Sequence, residues 1–312
     1  MKLNKIKLAL GFVTAAAMAM PIVASAAADQ EKAMKNSANW AHPRGQHDNQ
    51  AYSKLTQINK GNVKNLKAAW TLSTGVNRGH EGSPLVIGNM LYVHTAFPNN
   101  VYALDLNNNQ KVVWSYFPKQ DPSVQAVLCC DNVNRGLGFG NGKIFLQQND
   151  GNLVALNAKT GAKVWSTLNT DPKVGATNTN APHVIKDKVL TGCSGAEFGV
   201  RCFIAAYNIE DGSLAWKAMS TGPDSEVLIG ADFNKENPLY SALSVYEDVN
   251  GGNVEGGSFK RIPNDQLQGG VADLGLKTWL KPQAVKDGWQ HGGGSVWGWW
   301  PYDAKTNLVY YG

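Results

Sequence analysis

Short apolar runs alternate with polar turns along most of the chain, and they return at a fixed spacing. Tyr102-Ala103-Leu104-Asp105 is followed by Val113-Trp114-Ser115. Val154-Ala155-Leu156-Asn157 is followed by Gly161 and then Val164-Trp165-Ser166. Ala205-Ala206-Tyr207-Asn208 is followed by Gly212 and then Ala215-Trp216-Lys217. The three tryptophans stand 51 residues apart each time. Each copy reads as a strand, a turn rich in Asn, Asp and Gly, and a second strand around the tryptophan, which is a hairpin pattern. Upstream of each lies another β-rich stretch: Met90-Leu91-Tyr92-Val93, Lys143-Ile144-Phe145-Leu146 and Lys188-Val189-Leu190. Four short strands in a unit of about 50 residues is the spacing of a β-propeller blade. The pattern therefore predicts an all-β chain in which Trp114, Trp165 and Trp216 pack between blades. Helical periodicity is nearly absent; one short helix is expected near Lys60–Leu66, with Asn62 as its cap.

Two departures from the period bear on organisation. Residues 231–290 break it with a stretch rich in Gly, Asn and Asp, including Gly251-Gly252, Gly256-Gly257 and Gly269-Gly270. A long insertion of this kind is expected to cross one end of the propeller or to form part of a partner surface. Trp297-Gly298-Trp299-Trp300-Pro301-Tyr302-Asp303, with Val309-Tyr310-Tyr311-Gly312, reads as a blade beginning. A propeller has to close, because an open array leaves apolar faces and strand edges bare. The expectation is that residues 27–312 form the N-terminal part of a single propeller domain completed by further blades.

The first 26 residues read as a secretory signal. Lys2, Lys5 and Lys7 supply the basic start, Leu8 to Met20 carries no charge, and Ala24-Ser25-Ala26 gives a small-residue cleavage site. The expected compartment is the periplasm, where disulfides persist. The formal charge of +5 owes three units to those lysines, so the mature balance argues against nucleic acid as a partner. No other run is long and apolar enough to span a membrane. Among the four cysteines, Cys129 and Cys130 are adjacent: either they close a strained ring, as functional sites sometimes require, or they are two small buried residues. Cys193 and Cys202 either bridge across the turn that holds Glu197 or are inert. His80, His183 and His291 lack ligand-like spacing and are assigned no metal.

Seven motifs carry a resemblance that covers the chain in order from Trp40 to Gly312. They are Arg78-Gly79-His80-Glu81-Gly82-Ser83-Pro84, Phe97-Pro98-Asn99-Asn100, Cys129-Cys130-Asp131 through Asn134-Arg135-Gly136, and Ala181-Pro182-His183-Val184. The remaining three are Ser194-Gly195-Ala196-Glu197-Phe198-Gly199-Val200, Ser220-Thr221-Gly222-Pro223-Asp224, and Gly292-Gly293-Gly294-Ser295-Val296-Trp297-Gly298-Trp299. With them the chain resembles the pyrroloquinoline quinone (PQQ) dependent alcohol dehydrogenases, in particular the large subunits of bacterial methanol dehydrogenases. The resemblance implies an eight-bladed quinoprotein propeller, here about half of it. It implies that a Cys129–Cys130 disulfide covers the quinone and that Trp297 forms the floor beneath it. Arg135 would hold the polar edge of the quinone. Thr179, Ser194 and Ser295 would donate hydrogen bonds, and Glu81 would touch the ring. Gly195 and Ala196 would let the backbone approach closely. Glu197 is implied as carboxylate ligand of a cation, and hard oxygen donors suit Ca²⁺ or a lanthanide rather than zinc. Cys193 and Cys202 fall where the family usually has small residues, and the 231–290 stretch is longer than expected of it.

The implied reaction is oxidation of a primary alcohol, methanol first, by hydride transfer to the quinone. An aspartate would take the hydroxyl proton, and electrons would pass to a periplasmic cytochrome c. The resemblance places that aspartate beyond residue 312, so no catalytic base is assigned here, and the 312 residues alone are expected to be inactive. A homodimer or a small second subunit stays open. Two alternatives stand beside this reading: a non-catalytic tryptophan-repeat scaffold of the cell envelope, and a PQQ enzyme for longer alcohols or sugars. A scaffold needs neither the cysteine pair nor the Ser194–Glu197 segment.

Overall fold

The 51-residue period becomes three four-stranded antiparallel sheets, each formed by strands consecutive in sequence. The computed structural model describes residues 28–128, 130–230, 245–248, 259–270, 272–281 and 287–312. The expected signal, residues 1–26, lies outside that set, as does half of 231–290. The first blade contains β1 (Leu85–Ile87), β2 (Met90–His94), β3 (Val101–Asp105) and β4 (Lys111–Tyr116). The second contains β5 (Leu137–Gly140), β6 (Lys143–Gln147), β7 (Asn152–Asn157) and β8 (Lys163–Leu168). The third contains β9 (His183–Ile185), β10 (Lys188–Thr191), β11 (Phe203–Asn208) and β12 (Leu214–Met219). Two hairpins follow, β13 (Tyr246–Asp248) with β14 (Phe259–Arg261), and β15 (Tyr302–Asp303) with β16 (Leu308–Val309). All the described strand pairs are antiparallel, and each blade carries a bulge at the same point of its third strand, after Ala103, Ala155 and Ala206.

Side chains on a strand point alternately to opposite faces, so the central blade contributes to two cores at once. Ile144 and Leu146 of β6, with Val154 and Leu156 of β7, pack against Leu85, Tyr92, Val101 and Ala103 of the first blade. The residues between them, Phe145, Leu153 and Ala155, face Val184, Val189, Phe203, Ala205 and Tyr207 of the third. Ile204 and Ala206 turn the other way, onto Val296, Trp300 and Tyr302. β1, β5 and β9 are the inner strands. β4 and β8 are outer strands, and their only buried residues are Trp114 and Trp165.

Those two indoles dock on the next blade in the same way. Trp114 lies against Gly161, where a Cβ would stand 2.5 Å from the ring, and Trp165 lies against Gly212, where it would stand 2.6 Å away. Both glycines have φ +72°, so the turn needs glycine for its backbone as well. The Trp114 N–H donates to the Ala158 carbonyl at 3.0 Å, and the Trp165 N–H to the Ile209 carbonyl at 3.2 Å. Trp216 keeps 39% of its surface, because no described turn glycine covers it; the interblade expectation holds for two tryptophans of three. The segment Lys67–Thr71 sets Trp70 between an apolar and a polar residue, as the repeats do, but is exposed and forms no strand among the described residues.

The helix expected near Lys60–Leu66 reduces to one 3₁₀ turn, Val63–Asn65. Asn62 does not cap it; its side-chain oxygen accepts from the Asn59 N–H instead. Its two apolar residues, Val63 and Leu66, are exposed, and without a facing partner they do not sustain a longer helix. A helix that the apolar pattern did not announce, α1 (Ala28–Lys35), sits on the β5–β6 turn. Its Asp29 carboxylate accepts from the Asn141 and Gly142 N–H groups, each at 2.7 Å.

Trp165→Ala is expected to destabilise the folded protein by about 3–5 kcal/mol, since it removes the outer strand's anchor and leaves a cavity. Gly212→Ala attacks the same contact from the other side and should lower the unfolding midpoint in the same direction. Chemical denaturation of both variants checks the pair; an unchanged midpoint for Gly212→Ala would remove the docking argument.

Candidate functional site

Antiparallel order within each blade decides which loops share an end. The segments leading into β1, β5, β9 and β15 lie at the same end as the β2–β3, β6–β7 and β10–β11 connections. The sequence-derived residues all fall on these segments: Glu81 before β1, Cys130 and Arg135 before β5, Thr179 before β9. Ser194, Gly195, Ala196 and Glu197 lie in the β10–β11 connection, and Ser295 and Trp297 lie before β15. Hydrogen bonds stitch neighbouring segments together. His80 bridges Asn134, the Arg135 N–H donates to the Thr179 carbonyl at 3.1 Å, Thr177 pairs with Ser194, and Cys193 pairs with Val296.

Arg135 is the centre of this end. Only 4% of it is exposed. Its Nη2 meets the Glu81 carboxylate at 3.0 Å, its Nη1 donates to the Thr179 hydroxyl, and its guanidinium lies over the Trp297 ring, 4.4 Å from the centroid. Burial pushes the guanidinium pKa down and the Glu81 carboxylate raises it again. Four of the expected residues, Glu81, Arg135, Thr179 and Trp297, are thus in direct contact. The Trp299 N–H donates to the Arg135 carbonyl at 3.2 Å, which fixes the backbone behind the charge.

The turn before Arg135 is unusual. Cys130, Asp131 and Asn132 all have φ between 62° and 64°, a left-handed run that costs roughly 1 kcal/mol or more per residue. Cys130 is disulfide-bonded; Cys129 lies outside the described residues. The turn is held from below. The Phe97 N–H donates to the Asn132 carbonyl, the Asn134 amide donates to the Gln147 carbonyl, and the Asn149 amide donates to the Val133 carbonyl. His94 Nε2 contributes a further bond to the Asn134 carbonyl at 3.2 Å. Gly79 passes so close that a Cβ would stand 3.3 Å from the Asp131 and Asn132 carbonyls.

Ser194 is buried, and its hydroxyl has no hydrogen-bond partner among the described residues. A buried hydroxyl in that state points to a polar ligand or solvent. The backbone of Ser194 pairs with Thr177 in both directions, and the Thr177 hydroxyl donates to the Val127 carbonyl, so this turn joins the segment that leads to Cys130. Gly195 has φ +114°, and a Cβ there would stand 2.1 Å from the Gly175 carbonyl. Its small size is therefore set first by the chain that crosses it. Ala196–Phe198 form a 3₁₀ turn on which Glu197 is exposed, with no hydrogen bond or ion pair among the described residues. No group of three His, Cys, Asp or Glu side chains placed to hold a metal ion occurs among the described residues, at Glu197 or elsewhere. Ser295 is half-buried beside Val296 and has no side-chain hydrogen bond among the described residues. Cys193 and Cys202 are bridged to each other, which settles the alternative left open by their spacing.

Several supporting residues carried no signal of their own in the sequence. Asn132, Asn134, Asn149 and Thr177 look like ordinary turn formers, and His94 like a strand residue. His183, assigned no metal, stacks on Trp300 at 4.8 Å, and its Nδ1 faces His42 Nε2 at 3.2 Å. The Arg44 N–H donates to His42 Nδ1, which leaves the proton of that ring on Nε2 for His183.

Consecutive four-stranded blades docked tryptophan on glycine are the build of a quinoprotein-type β-propeller, and the comparisons with known proteins place the chain there. A family model described as PQQ: glucose/ethanol/alcohol dehydrogenase, β-propeller domain, matches residues 40–237, and the chain belongs to that family. It is 47% identical over 292 residues to the lanthanide-dependent methanol dehydrogenase of Methylorubrum extorquens, covering 93% of this chain and 43% of that protein. It is 45% identical over 284 residues to methanol dehydrogenase (cytochrome c) subunit 1 of the same organism, covering 89% of this chain and 40% of the relative. A solved europium-containing methanol dehydrogenase superposes with a TM-score of 0.75 at 42% identity, covering 91% of this chain and 44% of that one. The chain thus spans well under half the length of these relatives.

Burial pushes the His94 imidazole down to about 4 and that of His183 to about 3, with the charge of His47 lowering His183 further. Both are neutral in the fold. Below pH 6.5 the unfolded chain takes up protons that the folded chain refuses, so stability is complete above that pH and falls towards pH 4 and 3. The slope is roughly 1.4 kcal/mol per pH unit for each histidine. Unfolding midpoints should hold from pH 7.5 to about 6.5 and then fall down to about pH 4.5, and His183→Asn should flatten the dependence.

Proposed function

We propose that this end of the blades forms one side of a PQQ and cation site, in an enzyme that oxidises a primary alcohol to the aldehyde. Methanol is the proposed substrate and a periplasmic cytochrome c the proposed acceptor. The carrying observation is the contact of Arg135 with Thr179, Glu81 and Trp297 at the same end of the blades as the unpartnered Ser194 hydroxyl. A flat, electron-poor ring bearing carboxylates needs these partners: a cation and hydroxyls at its edge, and an aromatic face for stacking.

The chemistry of the donors fits the group. When bound, PQQ supplies a carbonyl carbon that accepts hydride from the alcohol. Arg135 holds negative charge at the rim through a guanidinium that burial and Thr179 keep in one orientation. Ser194 contributes a hydrogen bond with no protein acceptor to displace. Glu197 presents a hard oxygen to calcium or a lanthanide, and its exposure leaves room for the many further oxygens such cations take. Trp297, 42% exposed, gives a ring face of the required size. Cys130, disulfide-bonded on its left-handed turn, is proposed as part of the cover, together with Cys129. Ser295, Gly195 and Ala196 complete the polar and backbone contacts. A signal-directed periplasmic location belongs to the same proposal.

The relatives favour methanol among alcohols. Those named for methanol share 42–47% identity with this chain, whereas the quinohaemoprotein alcohol dehydrogenase of Pseudomonas putida shares 33%. The proposal concerns the whole-length activity of such enzymes, and the 312 residues alone are expected to give no turnover in a dye-linked alcohol assay.

Ser194→Ala in the full-length protein is expected to weaken PQQ uptake about tenfold while changing stability little. Arg135→Met should weaken it further. Reconstitution of cofactor-free protein, followed by absorbance of the bound quinone, checks both. Normal uptake by the two variants would sink the proposal.

A further inference from the structure

The β10–β11 connection, residues 192–202, is longer than the connections in the same place of the other blades, 95–100 and 148–151. It is also the one that carries Ser194 and Glu197. A connection of this length has freedom to lose, yet here both ends are tied together. Cys193 and Cys202 form a disulfide with Cα atoms 5.3 Å apart, and both sit fully buried in the core between the second and third blades.

The bridge meets two neighbouring segments. Cys193 and Val296 exchange both backbone hydrogen bonds, at 2.8 and 3.0 Å, and the Cys202 N–H donates to the Gly293 carbonyl at 3.1 Å. The strand that leads to Trp297 is therefore bonded to both ends of the ring. On the other side Thr177 pairs with Ser194. Three glycines let the chains touch. A Cβ on Gly192 would stand 2.0 Å from the Val296 carbonyl, one on Gly195 2.1 Å from the Gly175 carbonyl, and one on Gly292 2.8 Å from the Ala196 carbonyl.

Within this clasp the Glu197 carboxylate has no side-chain partner among the described residues. Its position depends on the backbone of the turn alone. A cation either finds that turn in place or spends part of its binding free energy ordering it. A disulfide with a sequence separation of 9 constrains the unfolded chain less than one closing a long loop, so its larger effect falls on the turn it encloses.

We propose that the Cys193–Cys202 disulfide is a positioning device that holds Glu197 and Ser194 in their binding geometry before the cation arrives. The inference rests on the reading of Glu197 as a cation carboxylate.

The probe is Eu³⁺ alone, added to metal-free full-length protein. Amide hydrogen exchange over residues 194–200 is expected to be slow and nearly unchanged on adding the ion. Protection that develops only with the ion would overturn the inference, and this measurement needs no variant. In europium luminescence titrations well below the unfolding temperature, Cys193→Ser/Cys202→Ser and the volume-restoring Cys193→Ala/Cys202→Val are expected to bind Eu³⁺ roughly 10- to 100-fold more weakly. A lowered melting temperature with unchanged affinity would assign the bridge to stability alone and overturn the proposal. Should neither variant fold, the exchange comparison decides. Glu197→Gln separates the two readings. If it leaves Eu³⁺ affinity intact, the Glu197 assignment fails; if it weakens binding and the cysteine variants do not, only the positioning role fails.

Discussion

The docking of an indole on the turn glycine of the next blade is the contact on which the rest depends. It is the sole buried anchor of β4 and of β8, and its N–H bond to a backbone carbonyl admits little rotation. With the outer strands fixed in this way, successive blades keep the same orientation. That places the lead-in segments of all blades at one end, close enough to hydrogen-bond from one blade to the next. Arg135, Thr179 and Ser194 share that end because Trp114 and Trp165 are in place, and Trp297 joins them through the backbone pairing of Cys193 with Val296.

The fold was largely legible because this contact has a sequence signature. A tryptophan, and a glycine four residues before the tryptophan of the next repeat, recur at constant spacing, and strand alternation fills in the rest. The failures have physical causes. At Lys60–Leu66 the residues favoured a helix locally, but an exposed apolar set has nothing to pack against, and only one turn forms. α1 escaped notice because its hold on the β5–β6 turn comes from one carboxylate, Asp29, bonding two distant N–H groups. Trp216 shared the repeat pattern of its counterparts, but burial depends on what the next unit offers, and no described glycine is there to receive it.

For the site, chemistry-bearing residues were legible through the family's motifs, and the scaffold beneath them was not. Asn134 and Asn149 act through backbone carbonyls brought near by folding, so their side chains leave no local pattern. Gly195 illustrates a different gap. Its smallness was read as room for a ligand, whereas the Gly175 carbonyl claims that space first. The same backbone crossings that exclude a side chain also make this end stiff, which suits the proposed binding surface, whose polar groups would be held in place before a ligand arrives.

The candidate residues come from five separate loops spread between Glu81 and Trp297, while the opposite end of the described blades carries short turns such as Gly88-Asn89 and Lys186-Asp187, with α1 seated on Asn141-Gly142. No contiguous peptide contains the surface, so it cannot be transplanted as a segment or imitated by a linear fragment. The architecture separates the two ends in an engineering sense. New termini or grafted loops placed in the far turns would leave untouched every residue assigned to binding.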